Sequence, residues 1–108
     1  MTKSVLGEFE HQVLLAVLRC GEEAYSVPIV LELERHTRRE VAPAAVYIAL
    51  RRMEDKGLAL SEMRPPAEGG RSRRYFEVTP EGVAQLRESR RRFVSLWDGL
   101  DPLLEEST

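Results

Sequence analysis

The six residues Pro65-Pro66-Ala67-Glu68-Gly69-Gly70 can neither continue a helix nor pair in a sheet, so any fold of this chain must place a loop there. The segments on either side read as strands. Before the loop, Leu58, Leu60 and the polar residues through Arg64 change the hydrophobic period to about two. After it, Arg74-Tyr75-Phe76-Glu77-Val78-Thr79 is rich in aromatic and β-branched residues. The pattern predicts a β-hairpin with a long tip, set between segments of helical period.

Three helices are predicted ahead of the hairpin. From Glu8 to Arg19 the residues Phe9, Val13, Ala16, Val17 and Cys20 recur at spacings of three and four, and Gly21 ends the stripe. Tyr25-Ser26-Val27-Pro28 reads as a second start, with Ser26 as N-cap and Ile29, Val30 and Leu33 on the inward face as far as about His36. Pro43 opens a third helix, buries Val46, Leu50 and Met53, and meets its stop at Gly57. After the hairpin, Thr79 and Pro80 are the N-cap and first residue of a fourth helix.

The fourth helix carries a seven-residue repeat: Val83, Leu86, Arg90, Phe93, Trp97, Leu100 and Leu104. A chain of 108 residues has too small a core to hide so long a stripe, so a partner helix is expected, with Phe9 of the first helix joining the contact. The alternative is that the helix folds back on its own first helix. The order helix, helix, helix, strand, basic loop, strand, helix predicts a mainly α fold with a small β-hairpin. That is a winged helix-turn-helix over 5–79 followed by a long C-terminal dimerisation helix over 80–104, with residues 105–108 as a frayed tail.

Charge is distributed unevenly. Residues 35–92 hold 14 of the 16 Lys/Arg and 8 of the 18 Asp/Glu, a net charge of +6, while the two ends together carry −8. A basic block between acidic flanks suits a face that tracks phosphates. No apolar run approaches the roughly 20 residues of a membrane span, and Met1–Gly7 lacks the apolar core of a secretory signal. A soluble, cytoplasmic chain is therefore expected. Cys20 is the single cysteine and excludes an internal disulfide; within an apolar stripe it reads as a buried thiol, since a redox sensor would want more cations nearby than Arg19. His11 and His36 have no metal-ligand spacing, and Gly69-Gly70 lacks the Lys-Ser/Thr of a phosphate-binding loop, so no enzyme, metal or cofactor is expected.

In a helix-turn-helix the third helix enters the major groove with its N-terminal residues toward the bases. Here those residues are Ala42, Pro43, Ala44, Ala45, Tyr47 and Ile48. Of these only Tyr47 can hydrogen-bond through its side chain, so Tyr47 is a phosphate donor or else a half-buried aromatic, while the alanine methyls suit thymine methyls. Arg51 and Arg52 are phosphate clamps or helix salt bridges. The run Gly69-Gly70-Arg71-Ser72-Arg73-Arg74 is the more specific signal: glycines allow close approach to a duplex, and the arginines can neutralise phosphates or enter a narrow minor groove. Arg71 and Arg73 are the leading candidates there, with Arg74 turned back along the strand. Arg90-Arg91-Arg92 reads as a solvated face, a salt-bridge row between subunits, or a further DNA contact.

The residues from Leu6-Gly7-Glu8-Phe9-Glu10 onward, and above all Pro43-Ala44-Ala45-Val46-Tyr47-Ile48-Ala49-Leu50-Arg51-Arg52-Met53-Glu54-Asp55-Lys56-Gly57-Leu58, resemble the PadR family of regulators. Gly69-Gly70-Arg71 and Arg74 through Gly82 are similar to its wing and the start of its dimer helix, and the resemblance covers about residues 5–97. It implies a homodimer that binds double-stranded DNA in a sequence-specific way, usually as a repressor released by a small-molecule effector or another signal. Ser26, Ala44, Ala45, Tyr47, Arg51, Arg71, Ser72, Arg73 and Arg74 would face DNA. Phe9, Val83, Leu86, Phe93, Trp97 and Leu100 would form the dimer. Some relatives hold flat ligands against a tryptophan of the dimer helix, which gives Trp97 either that role or that of an interface anchor. Two departures stand out: Ser26 replaces a common Gly, and Ala42 replaces a common Ser. The alternative reading is a winged-helix protein-interaction module without DNA binding.

Overall fold

The computed structural model describes residues 6–100 and 102. Helix α1 (Glu8–Cys20) begins after Gly7, whose N–H donates to the Glu10 carboxylate at 3.1 Å, and a 3₁₀ turn (Gly21–Glu23) follows it. Helix α2 (Ser26–Thr37) starts one residue earlier than expected. Tyr25 is in the N-cap position and Ser26 is already helical, capping nothing. The reason is tertiary: the Tyr25 ring meets the edge of Tyr75 at 5.5 Å and lies 4.2 Å beneath the Arg73 guanidinium, which holds Tyr25 in extended backbone.

Arg38 closes α2 in left-handed backbone, and the Glu34 carboxylate accepts from the Val41 N–H at 3.0 Å, fixing the turn into the next helix. Helix α3 (Pro43–Asp55) has Pro43 in its first turn and ends in a Schellman motif. Leu58 N–H donates to Met53 O at 2.9 Å and Gly57 N–H to Glu54 O at 3.0 Å, which requires the positive φ of 79° at Gly57. Strands β1 (Ala59–Arg64) and β2 (Arg73–Val78) pair antiparallel in a register running from Ala59↔Val78 to Arg64↔Arg73. The Phe76 N–H also donates to Ala24 O at 2.8 Å, tying the hairpin to the link between α1 and α2.

Helix α4 (Pro80–Trp97) is capped as expected by Thr79, whose hydroxyl accepts from Gly82 N–H at 3.0 Å and donates to Gly57 O at 2.7 Å. A Cβ at Gly82 would collide with the Leu58 carbonyl oxygen and the Val78 side chain, so this glycine is what lets α4 start against the hairpin. Val13, Leu14, Val17, Ile29, Leu50 and Met53 form the centre of one core, joined by Phe76 from β2 and Leu86 from α4.

Leu86 is buried in its own chain, at 6% exposure, and so is not part of a free dimer face. One turn further on, Ser89 Oγ meets His11 Nδ1 at 2.8 Å. Beyond that point α4 leaves the body, and all residues from Arg91 to Leu100 are exposed. The radius of gyration is 15.9 Å, against roughly 13 Å for a compact chain of this length. The excess fits a projecting helix. The helix was expected to reach 104; it ends at Trp97, with Asp98 already out of helical backbone and Gly99 at a φ of 83°. Leu104 and residue 5, each the bound of an expected domain, lie outside the described residues, as does the tail over 105–108.

Candidate nucleic-acid interface

Val46, Ala49, Leu50 and Met53 of α3 are buried, which at about 100° per residue turns Ala44, Ile48, Arg51 and Asp55 outward. Tyr47 sits on the flank nearer the hairpin, 41% exposed, with its ring edge toward Phe76 at 6.4 Å. It is an exposed aromatic supported from behind. Ala45 and Arg52 lie on the other flank, where with Gly7, Glu8, Phe9 and Ile48 they line an open groove between α3 and the start of α1.

Helix α3 and the hairpin are braced by a chain of polar contacts. Arg51 Nη1 donates to Tyr47 Oη at 3.0 Å, and its Nε lies 3.3 Å from Glu54 Oε1. The other Glu54 oxygen accepts from Ser61 Oγ at 2.8 Å, and Arg74 Nη1 donates to the same hydroxyl at 2.9 Å. The bond to Tyr47, ahead of the nearby carboxylates, holds the Arg51 guanidinium above its ordinary range. Arg51 and Arg74 are thus occupied in positioning α3 against β1 and β2, and Arg74 does turn back along its strand.

The two leading wing arginines have different surroundings. Gly69 and Gly70 take φ of 87° and 106°, values that side chains resist, and bring Arg71 and Ser72 out at the exposed tip. Arg71 makes no hydrogen bond or ion pair among the described residues. Arg73 is half-buried instead: it lies over the Tyr25 ring and pairs with Glu68 at 3.1 Å, and the phenol of Tyr75 does most to hold its charge above the ordinary range. Arg64 stacks on Tyr75 at 3.8 Å and donates to Glu22 O at 2.6 Å, completing an arginine–tyrosine stack that anchors the wing.

The structure does not bring all the sequence-predicted residues together. Ser26 is half-buried in the first turn of α2. Phe9 packs half-buried against the core on the α3 side, apart from the exposed end of α4. Val83 is half-buried, while Phe93, Trp97 and Leu100 are 63%, 42% and 48% exposed, with Phe93 and Trp97 packed edge to face at 6.3 Å. Arg91 and Arg92 both pair with Glu88 on their own helix. Arg90 lines a groove with Leu6, Glu8, His11, Ser89 and Phe93. Cys20 is half-buried, and burial, then Glu32, raises its thiol above the ordinary value. Sequence reasoning gave no role to Arg38 and Arg39, exposed in the turn before α3, and placed Ile48 at the start of the third helix without assigning its side chain a contact; the structure leaves that side chain exposed.

Three helices, a braced hairpin with a basic tip and an exposed third helix define a winged helix-turn-helix DNA-binding protein. The model of the transcriptional regulator PadR-like family matches residues 14–88, and the chain belongs to this family of transcriptional regulators. It is 40% identical over 74 residues to the transcriptional regulator Rv3488 of Mycobacterium tuberculosis, covering 68% of this chain and 66% of that protein. Among solved structures, a PadR-like transcriptional regulator from Bacillus cereus is similar in fold, with a TM-score of 0.74 at 23% identity over 89% of this chain and 90% of that one. A PadR family transcriptional regulator from Eggerthella lenta is 31% identical, with a TM-score of 0.63, over 88% of this chain and 85% of that one. No helix among the described residues is long and apolar enough to cross a membrane.

Proposed function

We propose that the chain acts as a homodimeric repressor. In this reading each protomer seats α3 in the major groove of a pseudo-palindromic operator, and a small molecule or another signal releases the complex. The observation that carries the reading is the pairing of an outward α3 with a wing tip whose arginine is free while its neighbours are tied into the fold. Arg71 is then the wing contact to phosphate, with Arg38, Arg39 and Arg52 as exposed cations around α3. Arg73 and Arg74 set the angle of the wing. Tyr47 keeps its place at the helix flank and offers its hydroxyl to the backbone.

Fluorescence anisotropy against a genomic fragment library at several salt concentrations tests this. A discrete palindromic subset is expected, bound with an affinity whose logarithm falls linearly with the logarithm of salt concentration. Arg71→Ala should reduce the slope by about 0.9 for each phosphate the protein then leaves unneutralised. An unchanged slope for Arg71→Ala would remove the wing assignment, and no enriched fragment at any salt would remove site-specific regulation.

A further inference from the structure

The outward face of α3 is poor in groups that can read base edges by hydrogen bonding. Arg51 is held by Tyr47 and Glu54, and the Tyr47 hydroxyl, on the flank, accepts from Arg51 and keeps its own O–H for the DNA backbone, as proposed above. Asp55, at the far end of the face, is an anion that phosphates repel. What the first two turns offer instead is apolar: Ile48, 56% exposed, directly follows Ala44 on the outward line and shares a groove with Ala45. An exposed isoleucine costs solubility and contributes nothing to this core, whose inward face is complete without it. In the major groove a base pair presents one apolar group, the C5 methyl of thymine.

The geometry points to Ile48 as a specificity-determining residue that reads a thymine methyl in each half-site, with Ala44 leaving room for the base pair to approach. This rests on α3 lying in the major groove, as proposed above. The side chain supplies dispersion and excludes water from the methyl. The same position should accept 5-methylcytosine, which carries its methyl at the corresponding place, and should discriminate against uracil, which lacks it.

The test uses the full chain and a duplex operator recovered from the library, with each thymine replaced in turn by uracil. Substitution in one half-site should weaken binding about fourfold, the equivalent of one buried methyl, and substitution in both about fifteenfold. Ile48→Ala should bind the thymine and uracil duplexes equally, and Ile48→Val should keep most of the discrimination. Because Ile48 is exposed, both variants should melt with the parent; a variant that does not is replaced by Ile48→Leu, which keeps the volume but moves the branch. If the operator binds and footprints normally but uracil is silent at every position, or Ile48→Ala retains the full preference, the assignment of Ile48 is overturned alone. If no duplex is bound specifically, the placement of α3 in the groove falls with it.

Discussion

His11 shows how much one side chain can depend on packing. Its Nδ1 lies 2.8 Å from Ser89 Oγ, a polar bridge between α1 and α4, and burial holds its pKa below the ordinary value of 6.5. A lowered histidine pKa means that the folded chain binds fewer protons than the unfolded one, so stability rises with pH across that window. The contribution is complete above pH 6.5 and is lost as pH falls from there through the lower folded value. Urea midpoints should therefore drop between pH 7 and pH 5 in the parent, and His11→Gln should flatten this part of the profile. If the two profiles run parallel above pH 5, carboxylates and not His11 are responsible. The histidine was visible in the sequence as a lone residue without metal spacing; its partner, 78 residues away, was not.

Among the elements, the hairpin and the helix caps were the most legible. Local chemistry decides them: Pro80 after Thr79, Gly57 after Lys56, and the Pro/Gly loop each restrict the backbone wherever the chain goes. Thr79 joins two of these elements, accepting from Gly82 N–H and donating to Gly57 O. Thr79→Ala should cost about 1–2 kcal/mol in urea unfolding, while Thr79→Ser should recover most of it. Equal losses for both would assign the effect to the buried methyl. The Ser26 cap misread an element boundary because the rings of Tyr25 and Tyr75 meet across the fold, a contact no local pattern encodes.

For the molecule as a whole, the outstanding feature is the end of α4, where Phe93, Val94, Leu96 and Trp97 stand exposed on a helix that has left its own core, with Leu100 exposed in the turn after it. Apolar patches of this kind are rare on monomers. With Phe93 and Trp97 both replaced by Ser, sedimentation should show a monomer at concentrations where the parent is a dimer, and operator affinity should fall because the two half-sites are no longer linked. The melting temperature of the parent should rise with concentration and that of the variant should not. A parent that sediments as a monomer throughout would remove the α4 interface, and a variant that stays dimeric would move it elsewhere.

The sequence by itself determined the element order, the long-tipped hairpin, the outward basic tip and the family, because each rests on short-range backbone restrictions or on a contiguous motif. Only the tertiary structure decided which arginines are free. Arg71 and Arg73 are two residues apart in an identical-looking basic run, yet one is exposed at a glycine turn and the other lies on Tyr25 and beside Glu68. It likewise buried Leu86 of the α4 stripe in the chain's own core, brought Arg51 against Tyr47 and Glu54, and turned Ile48 outward. The physical reason is common to all four. Whether a charged or apolar side chain is available to a partner depends on what stands opposite it, and those neighbours come from other elements or from the facing side of the same helix.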